Sequence, residues 1–515
     1  MKQKKQTILE WYRKNHNDID APCDGKGDCG RCKIRFMSDA PEAGEKERRL
    51  LTEEELEAGI RLACETEKTE DEDFVPVGKI FQMWGTEVLT EGCVENHEIT
   101  AEGAYGIALD LGTTTLAMRL VGLKSGKGWK TISSVNHQRA YGADVITRIQ
   151  AANEGQLQAL QACIQNDILD LLVKLTADAG VSIEQVKKIV IAGNTTMCHL
   201  LLGYSCESLG RAPFTPVDVS LRKISLEQLF EKIESDAKKE QLMSRLQAEV
   251  VILPGISAFV GADIVAGMYY CDLDLKDNPH MLLDVGTNGE IVIGDKHGFT
   301  VTSTAAGPVF EGGNISCGVP AVIGAVAHVR WNENAKLEPE VLGASKPQMM
   351  QVFGFCGSGL VDLMAALVDA KIVDENGTLA DEYFEDGYFV DIDSLAGSNR
   401  LWFRQSDIRE LQMGKAAIRA GIELVTANKK TERIYLAGGF GAAIDVNSAV
   451  RIGLFPKESK EIVSSAGNTS LEGAHKFLLD KKGEERVQNI VRNAIEIILA
   501  EEAGFEEKYI QYMQF

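Results

Sequence analysis

The chain has 515 residues, 44% of them hydrophobic and 25% charged, an ordinary globular composition that disfavours long disorder, collagen or coiled coil. Asp and Glu outnumber Lys and Arg by 76 to 54, a net charge of −22. A field of that sign repels phosphate backbones, so no nucleic-acid partner is expected. No apolar run approaches the ~18 residues of a membrane span. Residues 1–7 are basic, but only Ile8 and Leu9 follow before Glu10, so no signal peptide is read and a cytoplasmic location is expected. The 49 glycines against 12 prolines suit an α/β protein whose backbone approaches ligands closely.

Residues 8–15 read as a first helix. Cys23, Cys29 and Cys32 follow with spacing Cys-x5-Cys-x2-Cys, and Cys64 follows in Leu62-Ala63-Cys64-Glu65. In a cytoplasmic chain such thiols point to metal ligation before disulfides. A [2Fe–2S] cluster needs four thiolates, and Gly25, Gly27 and Gly30 free the loop to wrap it where φ must be positive. A four-Cys zinc site is the alternative, but zinc commonly takes two closely spaced Cys pairs. Lys33-Ile34-Arg35-Phe36 alternates and reads as a strand. The segment resembles the [2Fe–2S] ferredoxin domain with five residues between its first two cysteines. Such a domain normally opens with a two-stranded hairpin, and the seven residues before the helix leave room for a stub at most. The other seven cysteines show no ligand spacing and read as buried thiols.

Residues 66–73, TEKTEDED, form a solvated charge run. Phe74-Val75-Pro76-Val77 reads as a last ferredoxin strand, and residues 79–103, weakly periodic, read as a tether. The domain reading is therefore 1–78 for the ferredoxin-like unit, 79–103 for the linker, and two lobes over 104–265 and 266–515.

The lobes announce themselves by a repeat. Leu109-Asp110-Leu111-Gly112-Thr113-Thr114-Thr115 returns as Leu283-Asp284-Val285-Gly286-Thr287-Asn288. Each is an apolar strand, an Asp, a Gly-Thr turn and a second strand. Such a turn offers backbone N–H groups and hydroxyls to phosphate oxygens, and the Asp can hold Mg²⁺ through water. Two facing turns would grip a nucleotide triphosphate. A third Gly-rich turn, Ala437-Gly438-Gly439-Phe440-Gly441, can lie flat against a nucleoside.

In this order the three turns resemble the phosphate-1, phosphate-2 and adenosine motifs of the superfamily of acetate and sugar kinases, Hsp70 and actin. The resemblance implies two ribonuclease-H-like lobes with ATP in the cleft and Asp110 and Asp284 near the metal. It also implies small-residue hinge helices, expected at Gly261-Ala262-Asp263 and over 446–453. Thr113, Thr114 and Thr115 with Gly112 would contact phosphate on one side, and Gly286, Thr287 and Asn288 on the other. Glu290 would orient the attacking water, with a salt-bridged strand residue as the alternative. Gly438, Gly439 and Gly441 would frame the nucleoside, and Gly307, Pro308, Glu311 and Gly312 would line the pocket. Arg148 and His199 read as structural.

Further strings narrow the family. They are Asn136-x-Gln138 with Tyr141-Gly142-Ala143-Asp144-Val145-Ile146-Thr147-Arg148-Ile149, Ala192-Gly193-Asn194-Thr195-Thr196-Met197, Phe259-Val260-Gly261-Ala262-Asp263, Ala306-Gly307-Pro308-Val309-Phe310-Glu311-Gly312, and Cys356-Gly357-Ser358-Gly359. With the cysteine set they resemble the ATP-dependent reductive activators of corrinoid proteins. That resemblance implies a [2Fe–2S] cluster, ATP and Mg²⁺. It implies reduction of Co(II) to Co(I) in the corrinoid protein of a methyltransferase system, an upstream low-potential electron donor, and a homodimer through the ATPase domain. The alternatives are a metabolite kinase with a regulatory cluster and an ATP-sensing electron carrier that does no hydrolysis. An activator with a [4Fe–4S] cluster in its ATPase lobes fits less well, because Cys317 and Cys356 are lone cysteines there.

Overall fold

The computed structural model describes the chain except residues 1–5, 15–16, 20, 22–24, 26, 28–29, 31, 37–39, 69–73, 77–79, 83–102, 234–242, 323, 333–335, 344–351, 391–400 and 428. The N-terminal unit is a helix, Ile8–Lys14, over a three-stranded antiparallel sheet. Its middle strand is Lys33–Phe36, flanked by Ile60–Leu62 and Phe74–Pro76. The alternation read in the middle strand is real: Ile34 and Phe36 are buried with Ile8, Leu9, Tyr12 and Leu62. Phe74 closes this small core, its ring 5.7 Å from that of Phe36. The stretch read as tether begins with structure. Ile80–Gln82 pairs antiparallel with Asn17–Ile19, a three-residue strand too short to show a period of two.

Each lobe is built on a six-stranded mixed sheet, and the two sheets share one plan. In the first lobe, Tyr105–Leu111, Thr115–Gly122 and Gly128–Val135 form an antiparallel meander. Val186–Gly193 and then Glu249–Ile252 add parallel to its first strand. In the second lobe the meander is His280–Val285, Gly289–Asp295 and Gly298–Thr304. Ile434–Ala437 and then Val463–Gly467 add in the same way. The repeated string is thus the visible part of a repeated sheet. The first strands read as continuous apolar runs because both faces are covered. Ile107, Leu109 and Leu111 face the helices of lobe one, whereas Ala108 lies in a core shared with lobe two.

That shared core surrounds two crossing helices, Ala262–Tyr270 and Thr469–Leu479. It draws Ala108 and Val190 from one sheet, Leu282 and Val301 from the other, and Leu471 and Ala474 from the second helix. The crossing is close because Gly473 has no side chain: a Cβ there would lie 2.2 Å from the Ala266 carbonyl oxygen. Of the two segments expected as hinges, 261–263 opens the first of these interlobe helices. The segment 446–453 lies elsewhere. Helix Val446–Arg451 packs inside lobe two, where Ala449 and Ile452 are buried and Arg451 Nε meets Asp369 Oδ1 at 2.5 Å. Small residues mark both segments, but neighbouring backbone occupies the vacated space at Gly261, beside Asn194 and Thr195, and at Gly473, and not at Gly453.

Lobe two also carries a small sheet, with Ala325–Trp331 between Leu337–Val341 and Gly354–Phe355, backed by helix Gly357–Asp369. There His328 Nδ1 lies 2.8 Å from Oδ2 of buried Asp362.

Two outcomes are expected. Gly473→Val should cost about 2 kcal/mol or more by overpacking and lower the melting temperature, measured by calorimetry. The hydrogen bond to Asp362 raises the His328 pKa above its ordinary value. The folded state therefore holds that proton more tightly than the unfolded chain does. The contribution is full below the unfolded His value of ~6.5 and is lost as pH rises through the raised folded value. In urea titrations across that window, Asp362→Asn should flatten this part of the pH dependence.

Candidate functional site

In the N-terminal unit, Cys32 and Cys64 are buried with their Sγ atoms 3.3 Å apart. Cys23 and Cys29 lie outside the described residues. Gly25, Gly27 and Gly30 have φ of 82°, 76° and 65°, the left-handed values the wrapping loop was expected to need. Buried Glu47 braces the strand leading to Cys64, accepting from Leu62 N at 2.7 Å. Two thiols aimed together beneath a positive-φ loop fit a [2Fe–2S] cluster. Cys206, Cys271, Cys317 and Cys356 are buried elsewhere, and burial pushes the Cys206 thiol up to about 11 and that of Cys271 up to about 12. Cys93 lies outside the described residues.

The first Gly-Thr turn is held from behind. Asn136 donates Nδ2 to the Gly112 carbonyl and its backbone N to the Thr114 carbonyl, each at 2.9 Å. Asn194, the N-cap of helix Thr195–Leu202, donates Nδ2 to Thr113 Oγ1 at 2.9 Å. A Cβ on Gly112 would lie 2.5 Å from the Thr115 carbonyl oxygen, so the turn requires glycine. In the second turn Gly286 N donates to the Asn288 carbonyl at 2.9 Å, and Thr287 Oγ1 donates to Glu311 Oε2 at 2.8 Å. Thr114, Thr287 and Asn288 are exposed, with their polar groups available to a ligand.

Between the turns the structure gathers carboxylates. Asp110 ends one first strand and Asp284 the other. Glu290 is the cross-strand partner of Asp284 and accepts from Ser303 Oγ at 3.1 Å. Asp263, from the first crossing helix, joins them. Burial and then repulsion from Asp284 lift the Asp263 carboxyl to about 7. Burial and then Asp110 lift Asp284 to about 6. Glu290 is pushed well above the usual range by burial, then by Asp284 and Asp263. Burial also raises Asp110 and Glu311. The groups acting most strongly on this set are one another, hydroxyls and amides, with no Lys or Arg. Carboxylates crowded without a counter-charge fit a cation. Among the described residues no three His, Cys, Asp or Glu side chains could hold a metal by themselves, so Mg²⁺ would complete its shell with phosphate and water.

Gly438 has φ of 75°, and a Cβ there would approach Asp284 Oδ1 to 3.1 Å, whereas Gly439 has nothing within 4 Å. These two form an open bare-backbone turn. Gly441 instead faces its own strand, where a Cβ would lie 2.7 Å from Leu436 Cβ. Gly307 is open with φ of 74°. The Phe310 and Phe440 rings, 5.0 Å apart, tie its segment to the glycine turn. Arg148 and His199 are structural, as read: Arg148 Nε donates to the Gly142 carbonyl, and His199 Nε2 accepts from Val217 N at 3.0 Å. Burial holds the Arg148 pKa down at about 10.

Three cleft residues escaped the sequence reading. Asp263 was taken only as hinge. Asn468 Nδ2 and Ser470 Oγ donate to Asp110 at 2.8 and 2.7 Å. Their signal was present, since Ala466-Gly467-Asn468-Thr469-Ser470 echoes Ala192-Gly193-Asn194-Thr195-Thr196.

Two lobes of one sheet plan, crossing helices between them and a Gly-Thr turn after the first strand of each sheet define an ATPase-type protein of the actin and sugar-kinase class, here fused to a ferredoxin-like unit. Residues 2–67 match the 2Fe-2S iron-sulfur cluster binding domain, 105–276 the RACo middle region, and 278–515 the C-terminal (ASKHA) domain of RACo. The corrinoid activation enzyme RamQ of Eubacterium limosum is 33% identical over 435 residues, covering 80% of this chain and 70% of that protein. A [Co(II) methylated amine-specific corrinoid protein] reductase of Methanosarcina barkeri is 25% identical over 434 residues, covering 79% and 76%. The solved structure of a reductive activator for corrinoid,iron-sulfur protein superposes with a TM-score of 0.69 at 25% identity, over 99% of this chain and 95% of that one. The chain belongs to the RACo family of corrinoid-protein reductive activators.

Glu290→Gln should lower ATP turnover about 100-fold, the usual scale for a lost general base. Nucleotide affinity should stay within a few-fold. Phosphate release and a fluorescent-nucleotide titration measure the two.

Proposed function

We propose that this protein uses ATP to pass one electron to the cobalt of a corrinoid methyl-carrier protein, converting Co(II) to Co(I). The observation that carries the reading is the fusion itself: a buried thiol pair under a cluster-type loop, and a two-lobed cleft with two phosphate turns, in one chain. The balance is one electron per cobalt, replaced by an upstream low-potential donor, with ATP and water giving ADP and phosphate. A plant-type cluster near ~−400 mV lies above Co(I), and moving one electron uphill by ~200 mV costs about 4.6 kcal/mol. ATP offsets that cost if its binding and hydrolysis change the affinity for the partner, or the ligation of cobalt, between two states.

The [2Fe–2S] cluster supplies the single electron when bound, held by Cys23, Cys29, Cys32 and Cys64. Gly112, Thr113, Thr114 and Thr115 orient the triphosphate from one lobe, and Gly286, Thr287 and Asn288 orient it from the other. Asp110 and Asp284 would hold Mg²⁺, which would neutralise charge on the phosphates. Glu290, the cross-strand partner of Asp284, orients the attacking water. Gly438 and Gly439 give the nucleoside a flat seat, and Gly307 and Glu311 close the pocket beside the second turn. We place the protein in the cytoplasm, as a homodimer through its ATPase lobes. No helix of the described residues is long and apolar enough to cross a membrane.

The test supplies reduced protein, Mg–ATP and a Co(II) corrinoid protein and follows the visible spectrum. Co(I) should appear only with ATP, and Cys64→Ser should abolish it together with the cluster's own absorption. Equal reduction without nucleotide would overturn the proposal.

A further inference from the structure

Asp110 ends a strand of the first sheet, and both its carboxylate oxygens are held by the start of helix Thr469–Leu479, which comes from the C-terminal part of the chain and packs on that same sheet. Asn468 Nδ2 donates to Oδ2 at 2.8 Å and Ser470 Oγ donates to Oδ1 at 2.7 Å. The Asn468 amide works at both ends, because its Oδ1 also accepts from Leu471 N at 2.9 Å and so caps helix Thr469–Leu479. The carboxylate is thereby tied to the frame of that helix. The helix is itself locked to its crossing partner at Gly473 and at Gly267, where a Cβ would lie 2.7 Å from Thr469 Oγ1. Asn194 repeats the device in lobe one: it caps helix Thr195–Leu202 through Oδ1 at 2.9 Å and donates Nδ2 to Thr113 Oγ1. Two capping asparagines therefore converge on one phosphate turn.

We propose that Asn468 and Ser470 are positioning residues that aim Asp110 at the nucleotide's Mg²⁺. A carboxylate with one fixed donor on each oxygen is held in a single orientation, with lone pairs left over for a cation. Helix Thr469–Leu479 lies on the sheet that carries Asp110, where Arg119 pairs with Glu472 at 2.8 Å, so both donors stay in register with the carboxylate. The inference rests on the reading of Asp110 as a phosphate-side carboxylate. It does not require that the electron acceptor be a corrinoid.

The measurement is the tightening of ATP binding by Mg²⁺, read as the ratio of fluorescent-ATP dissociation constants in EDTA and in Mg²⁺ on the full chain. Asn468→Asp keeps the capping oxygen and deletes the donor; Ser470→Ala deletes the hydroxyl, and Ser470→Thr retains it. Ser470→Ala should reduce the tightening about 10-fold, on the scale of one charged hydrogen bond, and Asn468→Asp by at least as much. Ser470→Thr should stay within about 2-fold of the parent. In the Asp110→Asn background the tightening should be lost, and Ser470→Ala should change it no further. The proposal is overturned if Asn468→Asp and Ser470→Ala keep the parental ratio. It is equally overturned if they weaken binding alike in EDTA and Mg²⁺, or if Asp110→Asn leaves the ratio intact. A missing Co(I) signal beside these shifts would instead count against the corrinoid reading alone.

Discussion

The crossing of helices Ala262–Tyr270 and Thr469–Leu479 is the contact on which the rest of the ATPase half depends. The Ala266 carbonyl sits where a side chain at 473 would be. The two sheets consequently share one core instead of meeting across a wet interface, and Ala108, Leu282 and Leu471 are buried in the same cluster. Close packing of this kind does not deform smoothly. It favours a few discrete arrangements, and relative rotation of the lobes about a tight pivot is the motion it leaves available. Arg119 of lobe one, paired with Glu472 at 2.8 Å, anchors the same helix from its outer side.

The crossing also concentrates negative charge. It brings Asp263 from a helix, Asp110 and Asp284 from the two first strands and Glu290 from a neighbouring strand into one cleft. Left alone these groups repel, and all are displaced toward the protonated form. A cluster that disfavours its own ionisation stores free energy that a cation with phosphate can release. A cation bound there would offset that repulsion at the crossing, which is the electrostatic half of the coupling proposed between nucleotide and partner.

The N-terminal unit solves a separate problem. Its core is small, a dozen buried residues around Ile34 and Leu62, and much of its chain is committed to the loop that carries three of the four cysteines. Strand Ile80–Gln82 pairs with Asn17–Ile19 and so covers an edge of that short strand.

Local chemistry was legible in the residues themselves. Cysteine spacing, the positive-φ glycines around it, two Gly-Thr turns and a glycine-rich strand end each depend on a few consecutive residues. Steric and hydrogen-bonding rules at that range are nearly context-free. What could not be read was partnership over distance. Asp110 meets its two donors 358 and 360 residues away, Asp263 joins the other carboxylates only because its helix crosses another, and Gly473, at that crossing, looked no different from Gly453. Sequence alone pointed to the groups proposed to bind iron, phosphate and nucleoside. Tertiary packing decided which carboxylates share a charge and which lobe holds them, because such energies depend on separations through space that no local pattern encodes.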